Sequence, residues 1–115
     1  MSLSSKSKNI KDWSIGKLKE IKFVLSQESD QTRSMLQTYL KFSVGEASAD
    51  EMKEANSQFG DILKTLGLGA FVVLPFAPLT IPIAVKLGEK LGIDILPSSY
   101  RDLEAQKKQE LEKKK

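Results

Sequence analysis

Cysteine and histidine are both absent from the 115 residues. Without them, zinc sites and the common nucleophile–base pairs cannot be assembled. Serine, lysine and carboxylates remain, but no spacing positions a site among them. No disulfide can form, so the redox compartment stays open. The expectation is a non-enzymatic protein with no cofactor and no metal. Two other kinds of residue could act: prolines set in an apolar run, and lysines gathered on a helix face.

The apolar run is Thr65 to Val85, 21 residues without a charge. As one straight helix it would cover roughly 30 Å, about one hydrocarbon core. Pro75, Pro78 and Pro82 argue against a straight helix, because each removes a backbone donor and clashes with the carbonyl four residues back. The spacing predicts two apolar arms, Leu66–Leu74 and Leu79–Leu91, meeting at Pro75-Phe76-Ala77-Pro78. Pro78 suits the first turn of the second arm, and Pro82 implies a second kink. Gly92 reads as the stop of that arm, with Pro97 beyond it.

The surrounding elements must hold this segment. Ile10, Trp13, Leu18, Ile21, Val24 and Leu25 share a face at helical spacing, which predicts a helix over 10–26. Lys8, Lys11, Lys19 and Lys22 gather on another face, and Lys17 intrudes on the apolar one. That basic face reads either as contact with anionic lipid or as a solvated surface. A second helix is expected over 30–44, ended by Gly45. Ser48-Ala49-Asp50-Glu51 reads as a capping box for a third. Its stripe of Met52, Ala55, Phe59, Ile62, Leu63 and Leu66 runs into the apolar segment without a turn signal. Ser98 or Ser99 can cap a last, solvated helix over 100–112. The organisation expected is a disordered start (1–8), an amphipathic region (9–47), the apolar region (48–101) and a charged tail (102–115). The fold class expected is all-α, with amphipathic helices leading into a proline-kinked hairpin or a single membrane span.

Charge follows the same division. The net charge is +3, and residues 1–22 carry six lysines against Asp12 and Glu20. Residues 23–64 are acidic, and the tail from Tyr100 is basic on balance. The polar start lacks the apolar stretch of a signal peptide, so membrane insertion would use the internal segment. The segment is apolar all round and must be enclosed on every side. A membrane would do so; so would a homo-oligomer, or a soluble bundle with residues 66–91 as core. The mean hydropathy of −0.27 is that of a soluble protein. In the membrane reading, Lys86, Lys90 and Arg101 outnumber Lys53 and Lys64, which puts the C-terminus in the cytoplasm. In the other reading the protein is soluble and cytoplasmic.

The run Gly69-Ala-Phe-Val-Val-Leu-Pro-Phe-Ala-Pro-Leu-Thr-Ile-Pro-Ile-Ala-Val-Lys-Leu, followed by Ile95-Leu-Pro-Ser-Ser-Tyr, resembles the membrane segment of the LETM family. These are leucine-zipper, EF-hand-containing transmembrane proteins of the mitochondrial inner membrane. The family's Pro-Phe is matched by Pro75-Phe76. Its Leu-Pro-x-Ala-x-Lys-Leu is matched by Ile81, Pro82, Ala84, Lys86 and Leu87. Its Leu-Pro-Ser-(Ser/Thr)-Phe is matched by Leu96, Pro97, Ser98 and Ser99, with Tyr100 in place of the usual Phe. The likeness covers about residues 48–101, and short prokaryotic and phage-encoded members share the amphipathic lead-in. The resemblance implies an inner-membrane protein linked to cation/proton exchange and to ribosome association. The ribosome-binding-like region, EF-hand loop and coiled coil of the long members have no counterpart here, so ribosome contact is implied by family alone.

A transported ion would need a site, and no ionisable residue lies between Lys64 and Lys86. Only the carbonyls of Phe71, Leu74 and Pro78, expected to be freed by the prolines, could serve. Nucleic-acid binding is not expected, because the chain has neither an aromatic platform nor a known reading motif.

Overall fold

The structure, a computed structural model, describes residues 3–75 and 78–114. These form α1 (Leu3–Ser26), α2 (Asp30–Ser43), α3 (Ala49–Thr65), a 3-10 turn (Gly69–Phe71), α4 (Ile81–Lys90) and α5 (Ser98–Lys113). There is no strand among the described residues, and the chain is all-α as expected.

Helix α1 buries Leu18, Ile21 and Leu25 and leaves Ile10 and Trp13 exposed. All six face one side by spacing, or nearly so, but α1 is about 36 Å long and outruns the core. Residues 8–13 are exposed throughout. The polar start, expected to be disordered through residue 8, is helical from Leu3. Once a helix is nucleated, each added residue gains a backbone bond at small cost.

Helices α2 and α3 form a packed hairpin. Ser29 caps α2 by accepting the Thr32 N–H at 3.2 Å. At α3 both halves of the predicted capping box are present. The Glu51 N–H donates to Ser48 Oγ and the Ser48 N–H to Glu51 Oε1, each at 3.0 Å. Lys41 of α2 meets Glu51 Oε2 at 2.5 Å, which ties the two helices at this end.

Helix α3 does not continue into the apolar segment. It stops at Thr65, and Gly67 follows at φ +76°. The Leu68 N–H returns to the Leu63 carbonyl at 2.8 Å and the Gly67 N–H to Lys64 at 3.2 Å. This is a Schellman turn, and its accompanying apolar contact is made by buried Leu63 and Leu68. The turn signal is Gly67 itself, in an otherwise apolar run. Lys17 completes the stop: its ammonium donates to the Leu66 carbonyl at 3.0 Å. A cation suits the negative end of α3, and this explains the lysine on the apolar side of α1.

The predicted first arm, Leu66–Leu74, is therefore not an α-helix. It is the Schellman turn and the 3-10 turn, followed by irregular chain. Helix α4 realises the second arm, from Ile81 rather than Leu79. Pro82 causes no kink, because it stands in the first turn of α4, where an N–H would have no partner anyway. Pro78 lies before that helix, not in its first turn. Gly92, at φ +76°, ends α4 as expected, with the Ile93 N–H donating to the Gly88 carbonyl at 2.7 Å.

Phe59, Leu63, Ile81 and Ile95 are essentially fully buried at the centre, with Leu18, Ile21 and Leu25 of α1, Met35 and Leu36 of α2, and Tyr100 of α5 around them. The segment that had to be enclosed is thus divided. Leu68, Ile81, Ala84 and Val85 enter the core and Val72 and Leu79 pack against it, whereas Phe71, Val73, Leu74 and Pro75 are exposed.

Candidate docking surface

The exposed part is Phe71, Val73, Leu74 and Pro75, within the loop from Phe71 to Leu79. Its base is pinched, because the Leu79 N–H donates to the Phe71 carbonyl at 2.8 Å. That carbonyl is consequently not free to hold a cation, contrary to the sequence expectation. No polar group in the described part of the loop beyond the backbone offers chemistry. Instead the loop presents apolar side chains to solvent: Val73 is 76% exposed and Leu74 43%. Pro75 is exposed beside them. Phe76, expected at the break, lies outside the described residues.

Helix α1 extends this surface. Trp13, 49% exposed, meets Phe71 with ring centroids 6.0 Å apart. Between them lies an open crevice of about 120 Å³ floored by Leu18, Ile21, Leu68 and Leu79 and bordered by Leu87. Leu87 continues the surface onto α4, where Ile83 is one turn away and also partly exposed. Apolar side chains of α1, the 3-10 turn, the loop end and α4 therefore line one crevice, with exposed Val73 and Leu74 following Phe71 in the chain and exposed Ile83 one turn from Leu87. Contiguous exposed apolar area of this kind marks interaction sites more often than isolated exposed side chains do. The sequence pattern placed Trp13 on an apolar face, but its pairing with Phe71 is a long-range contact that no local spacing encodes.

The remaining predicted residues fall in two places. Lys86 is exposed on α4, half a turn or less from Ile83 and Leu87. Pro78 is half-buried and lines an open cleft with Val72, Thr80 and Met52 of α3. Leu96, Pro97, Ser98 and Ser99 line a different, more polar cleft with Lys22, Asp94 and Arg101. Leu96 is buried, and Pro97 is the residue that precedes α5. Neither serine caps that helix: both lie in its first turn, and no side chain hydrogen-bonds at the cap. Ser99 Oγ donates instead to Glu28 Oε1. The start of α5 is held by Asp94, which accepts from Arg101 Nε at 3.0 Å and Nη2 at 2.9 Å and from the Leu96 N–H at 3.2 Å. The Arg101 fork holds the Asp94 carboxyl below its usual range. Burial raises the Tyr100 phenol far above its ordinary value.

Lys8, Lys11, Lys19 and Lys22 are all exposed. They fall roughly 120–180° around α1 from Trp13, on the opposite side from the apolar surface. Lys22 lies close enough to Asp94 to help lower its carboxyl.

No group of three or more acidic side chains positioned to hold a metal ion occurs among the described residues. No described helix is long and apolar enough to cross a membrane. Comparison with family models, curated proteins and solved structures found no match for this chain.

Proposed function

We propose that the protein is a non-enzymatic helical module that associates with a membrane by laying its Trp13–Phe71–Val73–Leu74 surface into the bilayer interface. The observation that carries this is the Phe71–Leu79 loop. It is charge-free, tied shut at its base, and holds Val73 and Leu74 in solvent although a core lies directly behind it. Trp13 beside it is of the residue type favoured at the membrane–water boundary. Fully burying one large apolar side chain contributes about 1.5–3 kcal/mol. Several partly exposed ones together supply enough for reversible docking of a folded bundle.

In this mode both termini remain on one side of the bilayer. Insertion of Thr65–Val85 as a hairpin or a span would require Leu68, Ile81, Ala84 and Val85 to leave the core. The links to cation/proton homeostasis and to the ribosome rest on the LETM resemblance alone. A second reading is a soluble helical adaptor or oligomerisation module. It is favoured by the burial of those same four residues, which lets the bundle fold without lipid.

Flotation with lipid vesicles tests the reading. The wild type is expected to float with vesicles and to be released by a carbonate wash, and Val73→Asp/Leu74→Asp is expected to remain at the bottom. A wild type that never floats would rule the reading out. Retention after carbonate would instead establish deep insertion.

A further inference from the structure

We infer that the docking surface selects anionic lipid, through Lys86 and Lys90 of α4 rather than through the lysine stripe of α1. This rests on the membrane reading and specifies the lipid that reading leaves open.

On α4, Ile83 and Leu87 form one row at a spacing of one turn, and Lys86 and Lys90 form the row beside it. Each lysine is three residues from an exposed apolar neighbour, so its ammonium reaches the headgroup level when that neighbour enters the interface. Both lysines are exposed and neither makes an ion pair among the described residues. Glu89, the acidic residue of α4, falls roughly 120° around the helix from Ile83 and roughly 160° from Leu87, on the far side of the lysine row. The opposite border carries a third cation. The Lys64 stem lies beside Gly69, 3.6 Å from where a Cβ would stand there, and its ammonium has only a 3.9 Å contact with exposed Asp61. Lys17, nearer the crevice, is already committed to the Leu66 carbonyl and to Glu20. The apolar surface therefore has a cationic border, and its complement is a negatively charged bilayer surface. The α1 stripe, although richer in lysine, points away from it.

Vesicles of phosphatidylcholine alone, and of phosphatidylcholine with phosphatidylglycerol, provide the test. Trp13 is the only tryptophan, so its emission reports binding directly. The wild type is expected to show a blue shift and to partition more strongly into the anionic vesicles. Lys86→Glu/Lys90→Glu is expected to lose about tenfold or more in that partition. Lys8→Glu/Lys11→Glu, on the far side, is expected to stay within about twofold of wild type. All these positions are exposed, and unchanged helicity by circular dichroism checks the fold. Equal partition into both vesicle types would overturn the inference while leaving the membrane reading in place. So would a loss confined to the Lys8/Lys11 variant. Absence of binding to either vesicle, including the case of self-association alone, would overturn both.

Discussion

Glu51 shows how much one side chain contributes to this fold. Its carboxylate accepts from Lys41 and from the Ser48 N–H, and these bonds lower its carboxyl from an ordinary 4.5 to about 2. The folded state thus favours the ionised form. The stabilisation is complete above pH 4.5 and is lost as pH falls towards 2. Glu51→Gln removes the titrating group, so the stability difference between wild type and variant is expected to close over that window. Denaturation midpoints at a series of pH values measure it, and a difference undiminished at pH 2 would contradict the assignment. Ser48→Ala is expected to cost about 1 kcal/mol by loss of the cap. Both partners of this box were legible in the sequence, because a capping box is a local pattern. Lys41 was not, because its approach depends on how α2 folds back on α3.

Glycine stops and proline starts set the elements. Because Gly67 and not Pro75 ends α3, removing prolines does not fuse α3 to α4. Pro75→Ala/Pro78→Ala is expected to leave the helical content by circular dichroism nearly unchanged, whereas a gain of two or more turns would show that the prolines hold the break. Gly88 works differently. A Cβ there would stand 2.4 Å from the Ile93 carbonyl oxygen, in the turn that closes α4. Gly88→Ala is therefore expected to destabilise by about 1–3 kcal/mol, measurable by denaturant unfolding, although alanine is the better helix former. An effect near zero would mean that the turn yields. Gly92 is legible as a stop, since it follows a clear periodic run. Gly67 is hard to read from composition, because the residues on both sides of it are apolar and no polar break marks the turn. The serines after Pro97 suggest caps by residue type alone; the Asp94–Arg101 fork that does the positioning spans a loop and leaves no local signature.

At the scale of the molecule, one apolar segment serves two ends. Its flanks complete the core, and Phe71, Val73, Leu74 and Pro75 between them stand in solvent. The sequence showed that the segment needed enclosure on all sides and that residues 66–91 could supply a core. It could not show the division, which depends on α1 and α3 packing around Leu68 and Ile81 while Val73, Leu74 and Pro75 stay exposed. On the proposed reading, the core half stays fixed in the bundle and the loop engages lipid. Hydrogen exchange, compared with and without anionic vesicles, tests that directly. The prediction is slower exchange over residues 71–75 and around Trp13, with α3 and α4 protected equally in both conditions. Unchanged exchange over 71–75 in vesicle-bound protein would contradict it, as would loss of protection in α4.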